Sequence, residues 1–354
     1  LIYTPLFLIL ATQSQATSVL QVTSKRGSWS TKTAWGSVKD LAAKVQQTAA
    51  KELGEKFKCK KQFNHCNSNC PDATWVDAMI QADNDVKSPK AIVNVGCNKA
   101  SDAVEWLHRW DSARWDLPRW LPVLPPMKGF ACPLSEKTVP PVVAQGAGTP
   151  GAVCIEAMPK TAAALKTALA KYLLPHSNDT ELATQLDMVH AAVSNEEASG
   201  LTVDFPDSAP GTEVEGMNQS EGGPTRPVIV RTVDSLVKER ALPKVDILII
   251  DTEGADPLVL QGSTDTLKSV RYLEFEVHRD LVKAAWSQIK LRSVMDGLAD
   301  FDCYWAGNQG SLYPVMECWE DTFENGCWSN IVCARKTDVW SRVLRSHAKA
   351  HADA

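Results

Sequence analysis

Two carboxylates end a largely apolar run in the segment "VDILIIDTEGADPLVLQG", which covers residues 245–262. The apolar residues predict a buried strand, and Asp251 and Glu253 follow it beside Gly254. A positioned carboxylate can accept a proton from a reacting group or hold a polar ligand. Capping of the next helix is the structural alternative for each acid. The role of the two acids therefore depends on the side chains that neighbouring strands place beside them.

Candidate ligand-binding residues also lie at the ends of four other predicted strands. They are Asn94, Gly96, Cys97 and Asn98 in "VNVGCN", Glu156 in "VCIEAMP", Ser194 and Asn195 in "AAVSNEE", and His278 in "EVH". Gly96 lets the backbone approach a ligand closely. Glu156 stands where Rossmann-type folds bind ribose hydroxyls, and Ser194 and Asn195 could reach an adenine ring. Each feature alone is commonly structural, but together they predict one ligand-binding rim.

Strands alternate with helices from residue 91 onward. The predicted strands cover residues 91–96, 151–157, 186–194, 245–251, 271–278, 301–307 and 328–336, and the predicted helices cover residues 101–110, 159–173, 232–242, 256–268 and 281–298. Thr232 or Asp234 is the expected N-cap of the third of these helices. The alternation predicts an α/β fold with a mostly parallel sheet and helices on both faces. In such sheets the ligand crevice lies beyond the carboxyl ends of the strands, where the candidate residues fall.

Two inserts interrupt this pattern. Residues 111–150 are rich in Pro and Trp and then in Gly and Pro, and residues 204–226 are acidic and rich in turn-forming residues. Both are predicted to be surface loops, which often cover or recognise a substrate. We expect the Trp-rich insert to stack on a sugar acceptor, although Trp is also common in cores. The formal charge of −5 and the lack of a basic block speak against a nucleic-acid partner.

The start of the chain and its cysteines favour an oxidising compartment. Residues 1–16 resemble the apolar core and cleavage region of a secretory signal, with a buried terminal element as the alternative. The apolar run is too short for a comfortable membrane span. The chain has 10 Cys, and the spacing of Cys59, Cys66 and Cys70 fits disulfides better than a zinc site, even with His65 nearby. We predict a location in the secretory pathway lumen or outside the cell. Anchoring in a membrane by the first segment is the alternative.

Four blocks of the sequence, taken together, resemble the FkbM-like methyltransferases. They are "AIVNVGCNKASDAV", "CIEAMPKTAAAL", "HAAVSNEEASGLTV" and the long block that runs from "TVDSLVKERAL" through "IIDTEGADPLVLQG" to "RYLEFEVH". The most specific part is a D-x-E-G motif with a strand before it and a "VLQG" helix after it. The resemblance covers residues 91–278, and "WSNIVCAR" resembles the last strand of the same domain.

This resemblance implies a class I methyltransferase (Rossmann-like) fold with a seven-stranded sheet whose last strand is antiparallel. It also implies S-adenosyl-L-methionine as cofactor and a hydroxyl of a sugar, glycan or small metabolite as acceptor. The expected organisation is a signal-like segment at 1–16, a short helical, Cys-containing extension at 17–88, a methyltransferase domain at 89–345 and a tail at 346–354. Within the extension, residues 36–57 and 73–82 are predicted to be helical.

The resemblance also assigns parts of the cofactor to the candidate residues. Gly96, Cys97 and Asn98 would face its methionine part, Glu156 its ribose, and Ser194 and Asn195 its adenine. Asn94 stands where the family has an acidic residue, and the second glycine of the first motif is absent. An inactive or repurposed member of the family is therefore an alternative.

Methyl transfer to a hydroxyl needs a near-attack geometry and a destination for the hydroxyl proton. His278 is predicted to be the general base, because the ordinary pKa of histidine is near neutrality. Asp251 is predicted to orient the acceptor or the cofactor's ammonium group, and Glu253 can do the same. A metal held by Asp251 and Glu253, as in catechol-type methyltransferases, lacks a clear third ligand, so no metal is predicted.

Two other functions are compatible with the pattern. An NAD-dependent oxidoreductase on a related fold is disfavoured, because Asn98, Lys99 and Ala100 replace the later glycines of the dinucleotide fingerprint. A secreted, disulfide-linked binding protein could keep the methyltransferase fold without catalysis.

Overall fold

The computed structural model describes residues 57–60, 63–67, 73–83, 90–128, 150–213, 223–278, 285–307 and 310–352. The chain divides into a unit of residues 1–58 and a unit of residues 59–354, and the second unit contains all strands and helices of the described ranges. The predicted signal-like segment and nearly all of the predicted helix at 36–57 lie outside the described residues. Within those ranges, no helix is long and apolar enough to span a membrane.

Eleven strands lie in the described part of the chain. They are β1 (Ala91–Val95), β2 (Gly151–Glu156), β3 (Leu186–His190), β4 (Ala192–Val193), β5 (Thr202–Pro206), β6 (Thr225–Arg231), β7 (Ile247–Ile250), β8 (Tyr272–His278), β9 (Phe301–Ala306), β10 (Leu312–Pro314) and β11 (Trp328–Arg335). Eight of them form one sheet in the order β3-β2-β1-β7-β8-β11-β9-β10, and a second sheet has the order β4-β6-β5.

The large sheet is mostly parallel, as the alternation of elements predicts. Strands β3, β2, β1, β7 and β8 run parallel to one another, whereas β11 is antiparallel to both of its neighbours, β8 and β9. The predicted number of seven strands is wrong. The additional strand is β10, which forms an antiparallel pair with β9 and is too short, at three residues, to show a periodic pattern.

The predicted third strand is two strands. The chain leaves the large sheet after His190, and Ala192–Val193 then pair with β6. The prediction of a surface loop at 204–226 is wrong at both ends of this insert, which belong to β5 and β6 and pair antiparallel. These strands pack around a small apolar cluster that includes Met158, Phe205 and Val228. This packing explains why the second sheet forms.

Eight α-helices lie in the described ranges. They are α1 (Trp75–Gln81), α2 (Ser101–Trp110), α3 (Leu117–Trp120), α4 (Pro159–Leu173), α5 (Val233–Glu239), α6 (Asp256–Gln261), α7 (Leu291–Gly297) and α8 (Val339–Ala352). Pro159 occupies the first turn of α4, where its missing N–H costs nothing. The Thr232 side chain accepts a hydrogen bond from the backbone N–H of Ser235 (3.0 Å), so Thr232 is the N-cap of α5. Helix α8 continues past residue 345, at which the sequence predicts the end of the domain.

Covering segments pack on both faces of the large sheet. Alternate residues of β8 point to opposite faces. Trp106 of α2 packs against Tyr272 with ring centroids 5.4 Å apart, and Trp286 stacks on Phe275 with ring centroids 6.3 Å apart. The chain moves from β1 through β2 to β3 in one direction and from β7 to β8 in the other, so the strand order reverses between β1 and β7. At such a switch point an α/β sheet forms its ligand crevice.

The Trp-rich insert is a core element in its described part. Trp115 and Trp120 are fully buried, and Trp115 stacks on Tyr172 with ring centroids 5.0 Å apart. The indole N–H of Trp120 donates to the carbonyl oxygen of Lys99 (2.8 Å). The expectation that these aromatic rings stack on a sugar is therefore wrong for the described residues, because no face is free to do so.

Disulfides link distant parts of the chain. They join Cys59 to Cys318, Cys66 to Cys327, Cys97 to Cys154 and Cys303 to Cys333. Two of them fasten residues that precede β1 to the segment between β10 and β11. The prediction of disulfides over a zinc site is consistent with these bonds, which fit an oxidising compartment.

Candidate active site

The turn after β1 contacts the end of β7 at the switch point. Gly96 has a φ of +75°, and a Cβ built on it would lie 1.6 Å from the backbone oxygen of Asp251. The N–H of Gly96 donates to the carbonyl of Ile155 (2.8 Å), and that of Asp251 donates to the carbonyl of Val95 (2.9 Å). Only glycine fits this position, because a side chain would meet backbone. Two predicted site residues, Gly96 and Asp251, are thus in direct contact.

Glu156 joins the turn after β1 to the start of α4. Its two carboxylate oxygens accept backbone hydrogen bonds from Asn98 (2.9 Å) and Met158 (2.7 Å). Burial raises the pKa of Glu156 to about 7, although these hydrogen bonds and the charge of Lys99 act in the opposite direction. A carboxylate offers about four lone-pair sites, so these oxygens can accept further hydrogen bonds from a ligand.

Buried amide groups near this turn have unmet hydrogen-bonding capacity. Asn94 is fully buried, and neither atom of its side-chain amide has a hydrogen-bond partner among the described residues. The side-chain oxygen of Asn98 is also buried without a partner in the described ranges, whereas its Nδ2 donates to Glu213 (3.4 Å). The disulfide of Cys97 to Cys154 fixes the turn to β2. Because unpaired buried polar atoms cost free energy, this turn suits a ligand rich in donors and acceptors.

Acidic side chains and one histidine gather at the ends of β7 and β8. The Nδ1 atom of His278 lies 3.0 Å from Oε2 of Glu253 and 3.4 Å from Oε2 of Glu276. Asp256, at the start of α6, accepts a hydrogen bond from the backbone N–H of Glu276 (3.2 Å). Asp251 is exposed to solvent, whereas Glu276 and His278 are buried. Asp251 therefore lies at an opening of the cluster and His278 lies inside it.

The carboxylates of this cluster oppose one another's ionisation. Desolvation of its carboxylate raises the pKa of Asp251, and the negative charges of Glu276 and Glu253 raise it further. Burial and the charge of Glu276 raise the pKa of Asp256 in the same way. Solvent still reaches Asp251. The cluster of carboxylates therefore favours the binding of a positively charged ligand.

His278 differs from its predicted state. Burial lowers its pKa, but the hydrogen bond to Glu253 and the negative charges of Glu253 and Glu276 outweigh that effect and raise the pKa to about 10. The near-neutral pKa on which its predicted role as general base depends is therefore contradicted, because the sequence does not reveal that two carboxylates surround the ring.

Ser194 and Asn195 lie at the end of β4. The backbone of Ser194 donates to the carbonyl of Arg231 (3.0 Å), and its own carbonyl packs against Gly262. Asn195 donates from Nδ2 to the side chain of Gln261 (3.1 Å). These contacts connect both residues to β6 and α6, and the role near the adenine stays a prediction.

The sequence prediction missed several residues of the site. Glu276 had a visible signal, because Glu274, Glu276 and His278 alternate along a strand whose other residues are apolar. Glu213 had none, since it comes from the acidic insert. It pairs with Lys99 (2.7 Å) beside the Gly96 turn.

The fold and the site define a Rossmann-like α/β protein with polar residues at its switch point, where sheets of this kind bind ligands. Residues 129–297 match the family model described as "Methyltransferase FkbM domain". The predicted resemblance is thus confirmed over residues 129–297, which match this family model. The match implies a cofactor of the S-adenosylmethionine type.

The other comparisons are distant. Among solved structures, the chain is similar to precorrin-6y C5,15-methyltransferase from Geobacter metallireducens GS-15, with 10% identity and a TM-score of 0.32. The similarity covers 79% of this chain and 93% of that one. No curated protein matches the chain.

Proposed function

We propose that the protein is an S-adenosyl-L-methionine-dependent O-methyltransferase that acts on a hydroxyl of a sugar, glycan or small metabolite. We place it in the secretory pathway lumen or outside the cell, since its disulfides fit an oxidising compartment. One observation carries the proposal: the methyltransferase FkbM domain match includes Glu156 and Asp251, and Asp251 contacts the Gly96 turn at the switch point of the sheet.

The residues around the Gly96 turn suit the cofactor. Glu156 would accept hydrogen bonds from the ribose hydroxyls, and the amides of Asn94 and Asn98 would pair with polar groups of the methionine part. The acidic cluster beyond Asp251 favours a ligand with positive charge. When bound, S-adenosylmethionine supplies a methyl group activated by a positively charged sulfur.

The acceptor hydroxyl would meet Asp251 and Glu253 first, because solvent reaches both, whereas His278 is buried. A carboxylate there would accept the proton of the acceptor hydroxyl as that oxygen takes up the methyl group that the cofactor would supply. Nδ1 of His278 lies 3.0 Å from Oε2 of Glu253, so His278 would orient this carboxylate as a positioning residue. Holding the hydroxyl in line with the methyl group is the larger part of the catalysis.

Transfer of a labelled methyl group tests this function. The protein is incubated with methyl-labelled S-adenosylmethionine and a panel of monosaccharides, glycans and small alcohols, and the labelled atom is located by mass spectrometry and NMR. We expect label on oxygen, and we expect Asp251→Asn to lower kcat by about 10²- to 10⁴-fold.

Asp204→Asn is the matched control, since Asp204 is exposed in β5. It should leave the rate unchanged. Label on nitrogen or carbon would contradict O-methylation. Cofactor binding without transfer to any acceptor would favour the non-catalytic binding protein.

A further inference from the structure

Three side chains at the ends of β7 and β8 have the composition of a metal site. The Nδ1 atom of His278 and one carboxylate oxygen each of Glu253 and Glu276 all lie within 4.8 Å of one another. An imidazole with two carboxylates is a donor set typical of Mn²⁺, Fe²⁺ and Zn²⁺. Adjacent ligand atoms of an ion with bonds of about 2.1 Å are about 3 Å apart. The distances of 3.0 and 3.4 Å from Nδ1 to the two oxygens match this spacing.

Hydrogen bonding leaves one ligand atom of this group unsatisfied. Oε2 of Glu276 is buried and accepts no hydrogen bond from a described residue, and the Glu276 side chain is 6% exposed. The ring of His278 can carry only one proton on Nδ1, and Glu253 is the closer acceptor. A buried carboxylate oxygen without a hydrogen bond is costly, and a cation bound between the three side chains would remove that cost.

The surrounding residues hold these ligands in place. The indole N–H of Trp328 donates to the other oxygen of Glu276, and the Trp328 ring stacks on His278 with centroids 6.0 Å apart. The indole N–H of Trp286 donates to the backbone oxygen of Glu276 (3.0 Å). Such outer contacts fix the orientation of ligands in established metal sites. They leave Oε2 of Glu276 directed at Nδ1 of His278.

We propose that Glu253, Glu276 and His278 bind one divalent metal ion of the Mn²⁺, Fe²⁺ or Zn²⁺ type. The ion replaces the proton on Nδ1 of His278, which is released to solvent, so binding strengthens as the pH rises. Three protein ligands leave coordination positions open. The Glu253 side chain is 19% exposed, so an ion can reach the group from the solvent beside Glu253. The binding of the ion does not depend on methyl transfer. The catalytic role of the ion rests on the proposed function. At this position the ion would bind the acceptor hydroxyl and lower the pKa of that hydroxyl, which favours loss of its proton.

Titration with Mn²⁺ tests the site directly. The full, untagged chain is freed of metal with EDTA, dialysed, and titrated with Mn²⁺ in a calorimeter without S-adenosylmethionine. We expect one Mn²⁺ per chain, and we expect Glu276→Gln and His278→Gln each to weaken binding by at least about tenfold. Glu274→Gln is the matched control, since Glu274 lies on the same face of β8 but outside the group. It should change the affinity less than twofold.

Electron paramagnetic resonance of the wild-type complex gives a second measurement that needs no variant. Mn²⁺ bound by Nδ1 of His278 shows magnetic coupling to one imidazole nitrogen, and a spectrum without it overturns the proposal. Zn²⁺ is titrated in parallel, and Zn²⁺ binding that depends on the same two residues also supports the site. Failure of both ions to bind, or binding that neither variant weakens, overturns it. Metal binding without methyl transfer would support the metal site and contradict only the proposed function.

Discussion

Replacement of Gly96 by Ala tests the contact on which the candidate site is built. The new Cβ would lie 1.6 Å from the carbonyl oxygen of Asp251, and contacts shorter than 3.0 Å are essentially never seen, so the two segments must separate by at least about 1.4 Å. The φ of +75° adds about 1–2 kcal/mol for any residue with a side chain. Together with overpacking of about 1–3 kcal/mol, we expect a loss of about 2–5 kcal/mol in the free energy of unfolding.

Urea denaturation measures the stability of this variant, and calorimetry measures its affinity for S-adenosylmethionine. Gly151→Ala is the matched control, because a Cβ at Gly151 meets nothing within 4 Å. It should leave both quantities nearly unchanged. We expect Gly96→Ala to lose cofactor binding under conditions in which it is still folded, since Asp251 is displaced. A Gly96→Ala protein as stable and as competent to bind as Gly151→Ala would refute the described packing.

Three further predictions concern single groups in or near the sheet. Burial and the charge of Asp102 raise the pKa of Glu274 to about 7 from 4.5, so its contribution to stability falls as pH rises through this range. Glu274→Gln should therefore flatten the pH dependence of unfolding by up to about 3 kcal/mol, and an unchanged slope would contradict the assignment. Asn94→Val removes an unpaired buried amide and should stabilise the fold by about 1–2 kcal/mol in urea while weakening cofactor binding. A variant that binds as tightly as wild type would show that Asn94 does not contact the cofactor. Replacing Cys97 and Cys154 together by Ser opens a loop with a sequence separation of 57 residues and should cost about 4 kcal/mol in urea denaturation, whereas an unchanged midpoint would rule out this disulfide.

The sequence predicts the parallel core of the fold because its strands are buried on both faces. Strands β1, β2 and β7 appear as short apolar runs, and each is followed in the chain by a predicted helix. Strand β10 and the sheet of β4, β5 and β6 could not be predicted in this way. Their residues are few, and their pairing depends on contacts between segments that lie far apart in the chain.

The sequence predicts where the candidate site lies in the fold better than it predicts the protonation states of the site's residues. The carboxyl ends of parallel strands meet at one edge, so Gly96, Glu156, Asp251 and His278 could be assigned to a common rim. The charge state of His278 could not, because it depends on distances of 3.0 and 3.4 Å to carboxylates on two different segments. Sequence spacing alone does not contain those distances.

Calorimetric titration of the full chain with S-adenosyl-L-methionine tests the central claim most directly. We predict saturable binding of one cofactor molecule per chain, a higher unfolding temperature in its presence, and no comparable response to NAD⁺. The absence of both heat and a thermal shift at millimolar S-adenosylmethionine would contradict the account.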